Sequence, residues 1–93
     1  MVVGAARVEL HVHASQSLKQ KRGVVRSISQ RVRNRFNVSV AEVGGQGTWQ
    51  RAVLGLATVA GESETARRRL EKAIDFIENL HLAEVIDQEV EVL

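Results

Sequence analysis

A single α+β domain, four antiparallel strands backed by two helices, is the fold class this sequence predicts, and three observations predict it. Two stretches alternate apolar and polar residues and two more read as strands, one of them apolar on both faces; two longer ones carry an apolar stripe at helical spacing; and the six run in the order strand, helix, strand, strand, helix, strand. Ninety-three residues, 44% apolar and 26% charged, are enough for one core spanning 1–93 and too apolar for a disordered chain.

From Ala6 to His13, Ala6, Val8, Leu10 and Val12 point one way and Arg7, Glu9, His11 and His13 the other, which is the period of a half-buried strand. Ser15-Gln16-Ser17 then supplies hydroxyl caps for a helix beginning near Leu18. Leu18, Val25, Ile28, Val32 and Phe36 form its apolar stripe. Gly23 within it costs about 1 kcal/mol relative to alanine. Asn37 to Val43 alternates again, and Gly44-Gly45-Gln46-Gly47-Thr48 has the glycines a hairpin loop needs. Trp49 to Ala60 reads as a longer strand with apolar residues on both faces. Gly61-Glu62-Ser63-Glu64 opens the second helix with acids at its positive end, and Ala66, Leu70, Ala73, Ile74 and Ile77 carry its buried stripe. The last strand runs from about Val85 to Val92, with Ile86, Val90 and Val92 predicted inward.

The order βαββαβ in this length is that of a ferredoxin-like sandwich, with sheet order 4-1-3-2, two helices on one face and right-handed crossovers. Glu84, Asp87, Glu89 and Glu91 would guard one sheet edge with charge, and Glu42 alone the other.

Charge is unevenly distributed. Residues 1–47 hold eight Lys/Arg against two acids, a net of +6, and residues 48–93 hold five against nine, a net of −4. The first helix concentrates the cations. At 100° per residue Lys19, Arg22, Arg26 and Arg33 fall within about 60° of one another, with Lys21, Arg31 and Arg35 on the flanks. Four cations along roughly 20 Å of helix can follow several phosphates, and guanidinium forks suit phosphate oxygens. The same residues also describe a solvated helix face paired with acids elsewhere. With two Phe, one Trp and no Tyr, a sheet that stacks bases is not expected, so any nucleic-acid contact would run through the helix and follow the backbone.

Other candidate chemistry is sparse. Without cysteine there is no disulfide, thiolate nucleophile or cysteine-bound metal. His11 and His13 share a strand face, but a metal needs a third ligand, from Glu9 or from across the sheet; with none evident in the spacing, no metal or other cofactor is expected. Gly44-Gly45-Gln46-Gly47 lacks the Lys-Ser/Thr of a phosphate loop and lies between strands. No nucleophile elbow or acid–base pair stands out, so no catalytic residue is assigned. Val53, Gly55, Ala57 and Val59 give the third strand a second apolar face; with Trp49 as an anchor, they predict a homodimer interface at Trp49, Val53, Ala57 and Val59. The opening Met-Val-Val-Gly-Ala-Ala lacks the length and cationic start of a signal peptide, and no apolar run approaches the ~18–20 residues that span a bilayer, so a cytoplasmic protein with no membrane contact is expected.

The runs Ser17-Leu18-Lys19-Gln20-Lys21-Arg22, Arg31-Val32-Arg33-Asn34-Arg35-Phe36-Asn37-Val38-Ser39-Val40-Ala41-Glu42 and Trp49-Gln50-Arg51-Ala52 resemble the YlxP-like family of short bacterial proteins, over nearly the whole chain. The resemblance implies a ferredoxin-like sandwich. Family genes often lie near those for translation initiation factor two and ribosome-binding factor A, which implies work around the small ribosomal subunit. It carries over no catalytic residue, and its motif places Ser17, Leu18, Lys19, Lys21 and Arg22 on the basic helix. Two functional expectations follow. One is a non-enzymatic accessory protein touching ribosomal or other structured RNA through Lys19, Lys21, Arg22, Arg26 and Arg33. The other is a homodimeric protein-interaction or small-ligand regulatory module with no nucleic-acid role, which meets its partner through the sheet and for which the basic helix is dispensable.

Overall fold

Alternation in the first strand sends Ala6, Val8 and Leu10 to a buried face and leaves Arg7 and Glu9 on the other. In the computed structural model, which describes Met1–Leu93, that strand is β1 (Val2–His11). It is followed by α1 (Leu18–Arg35), β2 (Ser39–Gly44), β3 (Arg51–Ala60), α2 (Ser63–Leu80) and β4 (Glu84–Val92). All pairings are antiparallel and the sheet order is β2-β3-β1-β4, which is the predicted 4-1-3-2 read from the other edge. Residues of both helices join the inward faces of the strands in a single core built around Val8, Leu10, Ile28, Val32, Leu54, Leu70 and Ile77. Each such side chain contributes about 1.5–3 kcal/mol of burial free energy.

Local chemistry sets the element ends. The Ser17 hydroxyl accepts the Gln20 backbone N–H at 3.1 Å, capping α1, and the Gln20 side chain in turn accepts the Gln16 N–H at 2.7 Å. α2 ends at His81, whose φ of 56° is the left-handed turn that closes many helices. β1 approaches α2 most closely at Gly4, where a Cβ would stand 2.9 Å from Leu70 Cδ1. Buried Thr58 donates its hydroxyl to the Asn37 carbonyl at 2.9 Å and accepts from Arg69 at 2.6 Å, tying β3 to α2. Neither helix is long and apolar enough to cross a membrane.

Two local readings need correction. Trp49 lies in the loop before β3, not in the strand. In β4, Asp87 pairs with Glu9 but Val85, not Ile86, pairs with Leu10, so a one-residue bulge stands between them. Val85 therefore takes the inward place, and Ile86, expected inward, is 51% exposed.

Candidate nucleic-acid interface

α1 carries seven Lys/Arg and no acid. Lys19, Arg22 and Arg26 are exposed along its outer face, and their side chains make no hydrogen bond or ion pair within the chain. Arg31 donates to the Ser27 hydroxyl one turn back, and Arg35 lies 5.1 Å from the centre of the Phe76 ring. None of the α1 guanidinium groups meets a carboxylate; the ion pairs of the arginines belong to Arg7, Arg51 and Arg68. The helix surface is thus left to solvent or to an external anion.

Two of the five predicted contacts are not free. Arg33 is exposed, but one of its guanidinium nitrogens donates to the Val40 carbonyl of edge strand β2 at 2.7 Å, so the side chain is partly spent inside the fold. Lys21 is wholly buried. Its ammonium donates to the Gly45 carbonyl and, at 3.1 Å, to the Arg51 carbonyl, with the Glu42 carboxylate 3.6 Å away. Lys21 therefore holds the β2–β3 loop and cannot meet an outside polyanion. The physical reason is spacing: Lys21 falls three residues after Leu18 and four before Val25, the vacant place in the apolar stripe. The glycine-rich loop cradles a cation, as its carbonyls converge where a phosphate site would present N–H groups. Gly45, at φ 76°, makes that turn possible, and a Cβ there would stand 2.7 Å from the Arg51 oxygen.

The sheet face away from the helices divides into two halves. On β3 and its neighbours, Ala57 and Val59 are exposed, as is Trp49 in the loop, so these three predicted interface residues are accessible. Val53 is not: at 4% exposure it is already covered, packed beside the Gly44 backbone, and has no surface left for a partner. Val43 fills the space above Gly55, its Cγ1 3.0 Å from where a glycine Cβ would be. Toward β4 the same face is charged. Arg51 donates to Glu9 at 2.8 Å and Arg7 reaches Asp87 at 3.2 Å. The hydrogen bond from Arg51 holds the Glu9 carboxyl below its ordinary pKa, against some desolvation and with help from both arginine charges.

At the end of this face His11, His13 and Glu84 come together. His13 Nε2 lies 3.2 Å from His11 Nδ1 and 2.6 Å from Glu84 Oε1, and the two imidazole rings meet edge to face. Glu84 is the residue the sequence reading missed. Counting back from Glu91, Glu89 and Asp87 puts Val85 on their face and Glu84 on the other. The bulge at Ile86 reverses that, and only a tertiary register could reveal it.

Residues 3–90 match a protein family described as "Protein of unknown function (DUF503)". The chain belongs to the DUF503 family. A relative within reach is the protein described as "Uncharacterized protein YlxP" of Bacillus subtilis (strain 168), 38% identical over 78 residues, which cover 84% of this chain and 85% of the relative. Among solved structures, the de novo designed protein Foldit4 superposes with a TM-score of 0.51 at 18% identity, over 99% of this chain and 94% of the designed one. At that identity the likeness shows the fold alone. The DUF503 description names no activity, so the functional reading rests on the side chains described above.

Proposed function

We propose that this DUF503 protein is a cytoplasmic, non-enzymatic accessory factor that binds structured RNA, with ribosomal RNA as the first candidate, through the outer face of α1. The observation that carries the reading is a helix with seven cations and no acid, on which Lys19, Arg22 and Arg26 are exposed without internal partners. Arg33 adds a contact with part of its guanidinium, and Lys21 contributes only by holding the fold. Three free cations over two turns of helix fit successive phosphates, which orients the protein but conveys little base sequence. Absence of Phe, Tyr and Trp from the strands agrees with backbone-directed contact.

The test is Arg22→Glu with Arg26→Glu, both exposed and with side chains bonded to nothing in the chain. Sucrose-gradient fractionation of lysate at low salt should show the unaltered protein travelling with ribosomal subunits and the variant at the top of the gradient, with equal melting temperatures. Unchanged co-migration of the variant refutes the reading.

A second reading is favoured by a separate observation, the exposed apolar strip of Ala57, Val59 and Trp49 on an uncovered sheet face. It has two copies associating through that face, with the helices of both directed outward. It does not compete for α1, since the two surfaces lie on opposite sides of the sheet.

A further inference from the structure

We propose that His11, His13 and Glu84 form a binding site for a divalent transition-metal cation of the zinc class. Their ligand atoms lie within 4.8 Å of one another at the end of β1 and the start of β4. Two imidazole nitrogens and one carboxylate oxygen are a recurrent donor set for zinc with an open position, and nitrogen donors disfavour magnesium and calcium.

The spacing fits a shared ion. Ligands about 2.0–2.1 Å from one zinc at a tetrahedral angle stand roughly 3.3 Å apart. The His11 Nδ1 to His13 Nε2 distance is 3.2 Å. Glu84 Oε1 is nearer, 2.6 Å from His13 Nε2, and must withdraw by several tenths of an ångström, which a carboxylate side chain 58% exposed can do by rotation. The metal-free arrangement leaves a hydrogen-bonding surplus. One N–H on His13 Nε2 can serve Glu84, yet His11 Nδ1 is aimed at the same atom, so two acceptors converge on one proton. A cation satisfies all three lone pairs at once.

The backbone is arranged to this end. Without the β4 bulge, Val85 would oppose His11 and Glu84 would point to the helix side. The bulge instead puts Glu84 opposite His11, at the cost of leaving Ile86 51% exposed. His13 lies beyond the strand end but is held there: Val12 N–H donates to the Gln50 carbonyl at 2.7 Å, and the Gln50 side-chain amide donates to the His13 and Ser15 carbonyls at 3.3 and 3.1 Å. Arg51, across from His11, would repel a cation but is turned onto Glu9. A cavity of about 280 Å³, lined by His13, Ala14, His81 and Glu84 among others, gives water access to two of the three ligands.

Zinc chloride titrated into the untagged chain, in competition with a chromophoric chelator, tests this directly, with native mass spectrometry to count bound ions. One zinc per chain is expected and no magnesium. His13→Asn and Glu84→Gln should each weaken zinc at least about tenfold, with thermal melts unchanged in the absence of metal. His81→Asn should bind as the unaltered chain does, and zinc should shift the ring resonances of His11 and His13. Zinc binding that survives the His13→Asn/Glu84→Gln double variant, or is lost only in His81→Asn, overturns the proposal. So does an unaltered chain that takes up no zinc.

Discussion

Replacing Lys21 by methionine keeps the aliphatic stem in the core and removes only the ammonium. Left behind are the Gly45 and Arg51 carbonyls, with only Thr48 still donating to them, and the Glu42 carboxylate, 21% exposed and with one oxygen hydrogen-bonded to nothing. Breaking a buried ion pair by removing one partner costs about 3–5 kcal/mol, and the partial exposure of Glu42 argues for the lower end. In a domain of this size each kcal/mol moves the melting temperature by about 4–8 °C, so Lys21→Met should lower it by about 12–24 °C. Removing the stranded charge as well, with Lys21→Met and Glu42→Leu together, should recover much of that loss. The assay is thermal and urea unfolding followed by circular dichroism, alongside RNA binding at a temperature where the variant is folded. A melting temperature within about 3 °C of the unaltered protein, combined with weakened RNA binding, would refute the internal role of Lys21 and return it to the helix surface.

Other substitutions probe neighbouring parts of the account. Gly45→Ala forces a side chain into a φ of 76° and against the Arg51 oxygen, and should cost about 1–3 kcal/mol in urea denaturation; an unchanged midpoint would contradict the turn described. Val59→Asp, at a position 56% exposed, should leave the monomer folded while reducing the light-scattering mass from two chains to one, and an unaltered mass counts against association through the sheet. Val53→Asp, at 4% exposure, should instead unfold the domain, seen as loss of its cooperative thermal transition. His81→Gly removes the cost of a left-handed non-glycine residue and should raise stability by up to about 1 kcal/mol in the same denaturation assay.

Much of the architecture was legible because it rests on local periodicity. The alternating stretches, the doubly apolar one and the last strand became β1 to β4, the helical stripes became α1 and α2, and the order of elements left few topologies open. The misreadings share one cause: a side chain whose environment depends on pairing far away in sequence. Lys21 looked like a surface cation until loop carbonyls 24 and 30 residues onward were seen to enclose it, although its place in the stripe was a signal available from the start. Val53 looked exposed by alternation, but the bulged end of β2 sets the Gly44 backbone against it. Glu84, read only as an edge charge, was not placed beside the two histidines because a bulge carries no sequence signature as plain as the glycines of a turn. Of the proposed site, α1 was visible from its charge pattern. Which of its cations remain free was not, because that depends on whether a carbonyl such as that of Val40 lies within reach.

The claim that α1 meets a polyanion is tested most directly by the salt dependence of binding to a structured fragment of small-subunit ribosomal RNA. Three free cations predict a log–log slope of about −2 to −3, so that affinity falls roughly thirtyfold between 50 and 200 mM salt. In Arg22→Glu/Arg26→Glu, with one free cation left, the residual slope should be about −1 or shallower. Equal slopes for the two proteins, or binding that ignores salt altogether, would contradict it.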